Sequence, residues 1–262
     1  MCRLLKALPL TLSIAALIVF ATFAASCGSS NSQARFVNAI SDDTQVLDIE
    51  FNGTKAFALQ NPFPTDSGST YVSVPSGSDK VQGFATGQTT NPVFTKTSPV
   101  SFSSGKQYTV VATGQLAGTV ILMTPVDTNT APADGSVNFR VINASLSGPG
   151  SVDVYIFPDS ASGISCVPGG NGCSGSTFTA LPSPVSSINT TSAYVTMPYN
   201  SAGFGYTLYV TIAGQPNPLF NGGYSFNVGS VSLGSIRTIV LVDVAGGQGG
   251  MSSQPILLSD LN

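Results

Sequence analysis

Histidine and tryptophan are missing from this 262-residue chain, and charge is scarce. Only 8 % of its residues are Asp, Glu, Lys or Arg, against an ordinary share of about 25 %. Without histidine no Ser-His-Asp triad can form, and the commonest metal-binding side chain is gone. Without tryptophan the strongest stacking platform for a sugar is lacking. Nine Lys and Arg stand against twelve Asp and Glu, so there is no basic patch and nucleic acid is not an expected partner. A convincing helical period is also absent beyond the first 26 residues. The chain still has 42 % hydrophobic residues, which sets it apart from disordered compositions. Gly, Ser, Thr and Asn fill the polar positions.

What is present begins at the N-terminus, with MCRLLKALPLTLSIAALIVFATFAASC. Arg3 and Lys6 precede an apolar run, which closes on Ala24-Ala25-Ser26 and Cys27. This is the layout of a secretory signal peptide. A cysteine directly after small residues resembles the bacterial lipobox. That resemblance implies a signal over residues 1–26, a lipid on Cys27 and a tether over 27–34, and it makes the membrane a partner through the lipid. Gly28-Ser29-Ser30-Asn31-Ser32 suits a flexible tether. With Gly28 rather than Asp after the cysteine, the resemblance implies an outer membrane, the chain facing the periplasm or the surface. Two alternatives stay open. One is ordinary cleavage and plain secretion. The other is an uncleaved anchor, since the apolar stretch from Ala7 to Ala25 is 19 residues long, close to the ~20 of a spanning helix.

The chain has four cysteines. Cys2 falls inside the signal and Cys27 takes the lipid. Cys166 and Cys173 remain, in SCVPGGNGCSG. An oxidising envelope makes a disulfide the expected state, closing a loop worth about 2 kcal/mol or less. A metal site is the alternative, but further Cys or His ligands are lacking. No cofactor is expected.

About 235 residues follow the signal, enough for one large or two small domains. They repeat. Arg35-Phe36-Val37-Asn38-Ala39 returns as Arg140-Val141-Ile142-Asn143-Ala144. LDIEF (47–51) returns as VDVYI (152–156), aligning Asp48 with Asp153. YVSVP (71–75) returns as YVTMP (194–198), and GQTTNPVF (87–94) as GQPNPLF (214–220). KQYTVVA (106–112) resembles IRTIVLV (236–242), and GTVILM (118–123) resembles SQPILL (253–258). A period this long means tandem domains rather than a solenoid. Leu47-Asp48-Ile49-Glu50-Phe51 alternates as a half-buried strand does, whereas Ile239 to Val242 is a continuous apolar run suited to burial on both faces. Short strands with frequent Gly, Pro, Ser and Asn predict an all-β chain of two tandem antiparallel β-sandwiches, immunoglobulin-like. Their expected bounds are 35–128 and 137–262, with a polar linker over 129–136.

The R-x-V-N-A openings, the D-V-Y-type strand and the late K-x-Y-T-V-V strand resemble the bacterial domain of unknown function 4397, in two tandem copies. The resemblance implies a β-rich envelope domain and no established chemistry. The second copy departs at Arg237 and Thr238, where Lys-Gln-Tyr stands in the first. It also carries an insertion, so that residues 158–193 form a long Gly-, Ser- and Pro-rich loop around the cysteine pair. Loops on rigid scaffolds often carry binding; a tolerated surface insertion is the plainer reading.

Candidate chemistry is thin. Ser103-Ser104-Gly105-Lys106 has S-x-x-K spacing but reads as a turn entering a strand, and the companion motifs of that chemistry are absent. Asp127-x-Asn129 is too sparse for a calcium loop. Gly246 to Gly250 reads as a hairpin tip rather than a phosphate loop. Tyr155, Tyr199, Tyr206 and Tyr209 read as packing residues, with sugar stacking as the alternative. The matched Asn38, Asp48, Asn143 and Asp153 read as structural: a strand Asp bonding a neighbouring turn, with the asparagines as partners. The functional expectation is a non-catalytic envelope lipoprotein, structural or adhesive through protein or glycan ligands. A carbohydrate- or small-ligand-binding lipoprotein is the alternative, and a secreted hydrolase ranks third.

Overall fold

The computed structural model describes residues 31–59, 61–68, 70–146, 151–159, 176–182, 190–214, 224–244 and 253–261. All regular structure among them is β. The first half holds β1 (Ser32–Ile40), β2 (Leu47–Phe51), β3 (Thr54–Ala58), β4 (Thr65–Asp66), β5 (Val72–Val74), β6 (Gly77–Ala85), β7 (Phe94–Phe102), β8 (Gln107–Gly114), β9 (Val120–Met123) and β10 (Val126–Asp127). The second holds β11 (Ser136–Asn143), β12 (Ser151–Pro158), β13 (Ser176–Pro182), β14 (Val195–Pro198), β15 (Tyr206–Ile212), β16 (Tyr224–Gly229), β17 (Ile236–Asp243) and β18 (Ser253–Leu261). No helix among the described residues is long and apolar enough to cross a membrane.

Each half is a two-sheet sandwich. In the first, the sheet β10-β8-β1-β4, with β5 on β1 and β9 on β8, faces the sheet β3-β2-β6-β7. In the second, β14-β11-β17-β18 faces β13-β12-β15-β16. Period-2 alternation builds each core. Phe36 and Val110 from one sheet meet Ile49, Phe51 and Phe102 from the other. Phe139, Val141 and Leu241 meet Val154, Ile156 and Leu208. Edge-to-face aromatic pairs cross both cores, Phe102 with Tyr108 and Phe139 with Tyr206, each with ring centroids 5.0 Å apart.

The alternate residues of β1, β8, β11 and β17 do not face water. Val37, Ala39 and Val111 pack against Ile142, Ala144, Val240 and Val242 in a third core shared by the halves. The two inner sheets are therefore stacked face to face, which gives four layers. This is why the inner strands read as continuous apolar runs.

Three expectations need correction. One pair in each half is parallel: β1 with β8, and β11 with β17. A first and a late strand can run side by side in one direction because a long connection through the other sheet separates them. Second, the tether cannot extend to residue 34, because β1 begins at Ser32, and Ser32 and Ala34 are fully buried. Third, the late-strand alignment slips. Arg35 pairs with Thr109 and Arg140 with Thr238, so Thr109 corresponds to Thr238 and Tyr108 to Arg237, one residue from the sequence match. Val111 pairs with Met123 and Val240 with Ile256, a slip of two in the last strand. Apolar β-branched runs look alike at any offset; pairing register is what decides.

Candidate functional site

The four matched polar residues sit at strand ends and hold turns. Asp48 and Asp153 are buried on β2 and β12. Asp48 Oδ2 accepts from the Gly87 amide at 3.1 Å, and Asp153 Oδ2 from the Gly214 amide at 2.8 Å. Gly87 and Gly214 take φ of 81° and 78°, a region that strains any side chain. The carboxylate thus pins the left-handed turn that follows β6 in one half and β15 in the other. Lys55 also donates to Asp48 Oδ2, at 2.8 Å. Burial pushes the Asp48 carboxyl up, but the Lys55 ammonium and the Gly87 amide outweigh it, and its pKa lies below the ordinary value.

The asparagines serve different turns from the aspartates. Asn38 Oδ1 accepts from the Ile40 amide at 3.2 Å, and its Nδ2 donates to Asp43 at 2.8 Å. Asn143 Oδ1 accepts from the Ser145 amide at 3.3 Å, and its Nδ2 donates to the Leu181 carbonyl. Burial raises the Asp43 carboxyl above its usual range, against the pull of its hydrogen bonds.

A larger constellation lies between the inner sheets, and the sequence reading missed it. Among the described residues, Arg35 and Arg140 are the two largest fully buried side chains. Arg35 Nε donates to Thr109 Oγ1 at 2.9 Å, Nη1 to the Ser259 carbonyl at 2.8 Å, and Nη2 to Asp260 Oδ1. Arg140 repeats the pattern. Its Nε donates to Thr238 Oγ1 at 3.1 Å, Nη1 to the Val126 carbonyl at 2.9 Å, and Nη2 to Asp127 Oδ1. Each aspartate belongs to the half opposite the arginine it pairs. Thr109 and Tyr71 hydroxyls both donate to Asp127 Oδ2 at 2.8 Å. Thr238 and Tyr194 do the same to Asp260 Oδ2, at 2.7 and 2.6 Å. The Arg35 guanidinium lies 5.0 Å from the Tyr71 ring centroid, and that of Arg140 lies 4.6 Å from Tyr194, within cation–π range.

Two guanidinium and two carboxylate charges cancel, and every strong donor meets an acceptor. A buried ion group needs that, because desolvation otherwise exceeds the Coulombic gain. Burial would lower the Arg140 pKa, but Asp127, Tyr194 and Asp260 raise it instead. Burial first, then Asp127, raises the Tyr71 phenol far above its ordinary 10.0. Burial, supported by Asp260, does the same for Tyr194 against the opposing pull of Arg140. The available signal was a lone cation in an apolar strand opening, given twice. Asp127 gives no such signal, because it stands at the end of the first repeat beside the polar, Pro-containing linker, where a solvated carboxylate is the ordinary reading.

The remaining motifs resolve quietly. Ser103 to Lys106 is a turn into β8, closed by the Lys106 amide on the Ser103 carbonyl at 3.2 Å. Asp127 is engaged by Arg140 rather than open to a cation, and no group of three Cys, Asp or Glu among the described residues could hold a metal. Tyr206 is fully buried and Tyr209 nearly so. A cleft of about 320 Å³ lies between β7 and the β8–β9 connection, lined by Phe94, Lys96, Leu116 and Thr119 among others. No carboxylate is among its described lining residues. Cys27, Cys166, Cys173, most of the 158–193 loop and Gly246 to Gly250 lie outside the described residues.

Residues 32–155 match the family described as Domain of unknown function (DUF4397). The DUF4397 match runs from the first residue of β1 to Tyr155 in β12. It takes in Arg35, Asp48, Asp127, Arg140 and Asp153. No curated protein matches the chain. Among solved structures it is similar to the Bacillus anthracis TIE protein, at 12 % identity and a TM-score of 0.24, over 88 % of this chain and 44 % of that one. The chain thus spans less than half of that protein. A candidate adhesin from Bacteroides ovatus gives 12 % identity and a TM-score of 0.25, over 86 % of this chain and 92 % of that one. A candidate cell adhesion protein from Bacteroides ovatus ATCC 8483 gives 6 % and 0.24, over 87 % and 97 %.

Proposed function

We propose that this chain is a non-catalytic envelope lipoprotein, two copies of one domain anchored through Cys27, acting structurally or adhesively through protein or glycan contacts. The observation that carries the non-catalytic reading is the use made of the buried carboxylates. Asp43, Asp48, Asp79, Asp127, Asp153, Asp243 and Asp260 each accept a hydrogen bond from the chain itself. A glycoside hydrolase needs two carboxylates held open around a substrate. The stacked inner sheets support the adhesive part, since a shared core keeps the outer sheets and loops at a set distance from an anchor. The recurring strand pairing, Asp–Gly turns and Arg–Thr–Tyr–Asp sets support the two-copy reading.

The test is deletion in the host, complemented with wild type or Cys27→Ser. Deletion should reduce cell adhesion or biofilm, wild type should restore it, and Cys27→Ser should be released and fail to restore it. A diacyl- or triacyl-glyceryl adduct on the N-terminal peptide should accompany the wild-type result. Substrate turnover abolished by a single carboxylate variant would overturn the reading.

A further inference from the structure

The two halves differ at one matched point. In the first, Phe102 and Tyr108 lie six residues apart and plug one end of the sandwich. They are 2 % and 4 % exposed, their rings meet edge to face at 5.0 Å, and the Ser103 amide donates to the Tyr108 hydroxyl at 2.8 Å. By strand register, Tyr108 corresponds to Arg237. Six residues before Arg237 stands Val231. The turns between also correspond: the Lys106 amide donates to the Ser103 carbonyl in one half, the Ser235 amide to the Ser232 carbonyl in the other. Valine is much smaller than phenylalanine, and arginine cannot replace the tyrosine ring in an aromatic pair. The Phe102–Tyr108 pair has no counterpart at these two positions; the aromatic pair of the second half is Phe139 with Tyr206, Phe139 being the strand neighbour of Arg237, and a cleft of about 230 Å³ lies beside Arg237, lined by Val228, Ser230, Val231, Arg237 and Leu257.

Three of the five lining residues are apolar, and the other two are Ser230 and Arg237. Val228 and Val231 belong to the second core, so the cleft reaches to its edge. Leu257 is 42 % exposed in the cleft lining, and Leu233, in the same β16–β17 connection as Val231, is 56 % exposed. Arg35 and Arg140 are each answered by a carboxylate. Arg237 makes no ion pair or hydrogen bond among the described residues. It is half-buried, and burial lowers its pKa, with only the field of Asp260 opposing. An under-compensated cation against an apolar wall is the complement of an amphipathic anion.

We propose that this cleft binds a small monocarboxylate with a short apolar tail. The planar guanidinium takes the carboxylate through paired N–H donors, Ser230 offers a further hydroxyl, and the tail lies on Val228, Val231 and Leu257. One cation matches one negative charge. The volume, about that of eight water molecules in the liquid, admits a molecule smaller than the usual drug-sized ligand. The proposal does not depend on the adhesive reading.

The test uses the whole mature protein with hexanoate as probe, and hexan-1-ol, hexylammonium and acetate as controls, read by calorimetric titration and thermal melting. Hexanoate should bind and raise the melting temperature, as any ligand of the folded state does; the three controls should do neither. Arg237→Gln should weaken hexanoate binding about ten- to a hundredfold, the value of a lost charge-assisted hydrogen bond. Val231→Phe, which places the counterpart of Phe102 in the cleft, should abolish binding with the fold intact by circular dichroism. If Val231→Phe fails to fold, Arg237→Gln decides alone. No binding of hexanoate, equal binding by Arg237→Gln, or equal binding of hexan-1-ol would each overturn the proposal.

Discussion

Asp260 neutralises Arg35 from the far end of the chain, and Asp127 does the same for Arg140. Removing one partner leaves a charge in a dry interface with nothing to answer it. Asp260→Asn should therefore destabilise the fold by about 3–5 kcal/mol, measured by urea unfolding. Combining it with Arg35→Met should cost less than the sum of the two single changes, because the second removes the charge the first orphaned; strict additivity would count against the pairing. The tyrosines set a second test. Folding raises the phenol pKa of both Tyr71 and Tyr194, so the folded state holds those protons more tightly than the unfolded chain. Their contribution is complete below about pH 10 and is lost as pH rises towards the folded values. Stability should fall with pH above 10, and the fall should be shallower in Tyr71→Phe/Tyr194→Phe. An identical alkaline slope in that variant would disprove the assignment.

At the scale of elements, β1, β8, β11 and β17 are buried on both faces, while β3 is largely exposed. Amide exchange should be slowest in the four inner strands and should approach the global unfolding rate there, with β3 exchanging earlier. Exchange in β1 as fast as in β3 would mean that the inner sheets separate readily. Much of this level was legible. Leu47 to Phe51 alternates in sequence, and Leu47, Ile49 and Phe51 fill the first core, although Asp48 between them is buried as well; the sequence also matches Tyr71 with Tyr194, Gly87 with Gly214 and Asp48 with Asp153. Register was not legible: Val110-Val111-Ala112 can be laid against Ile239-Val240-Leu241 or one residue later with equal apolar agreement. Only the parallel pairing of Thr109 with Arg35 and Thr238 with Arg140 distinguishes them.

The whole molecule is a four-layer stack in which Arg35 on the first strand bonds the Ser259 carbonyl and Asp260 on the last. Separating the halves would expose Val37, Val111, Ile142 and Val240 together with the ion group. The protein should therefore unfold in one calorimetric transition, its van't Hoff and calorimetric enthalpies agreeing. Two resolved transitions would show that the shared core adds little. Sequence by itself determined the β class and carried the matched segments of the two halves, because alternation and glycine-bearing turns are local in the chain. It also carried the apolar N-terminal run that ends at Cys27. Only the tertiary structure decided that the repeats stack, that Asp127 is buried and that Arg237 stands beside a cleft. Those outcomes depend on which residues meet across the fold, and partners such as Arg35 and Asp260 are invisible to any pattern read along the chain.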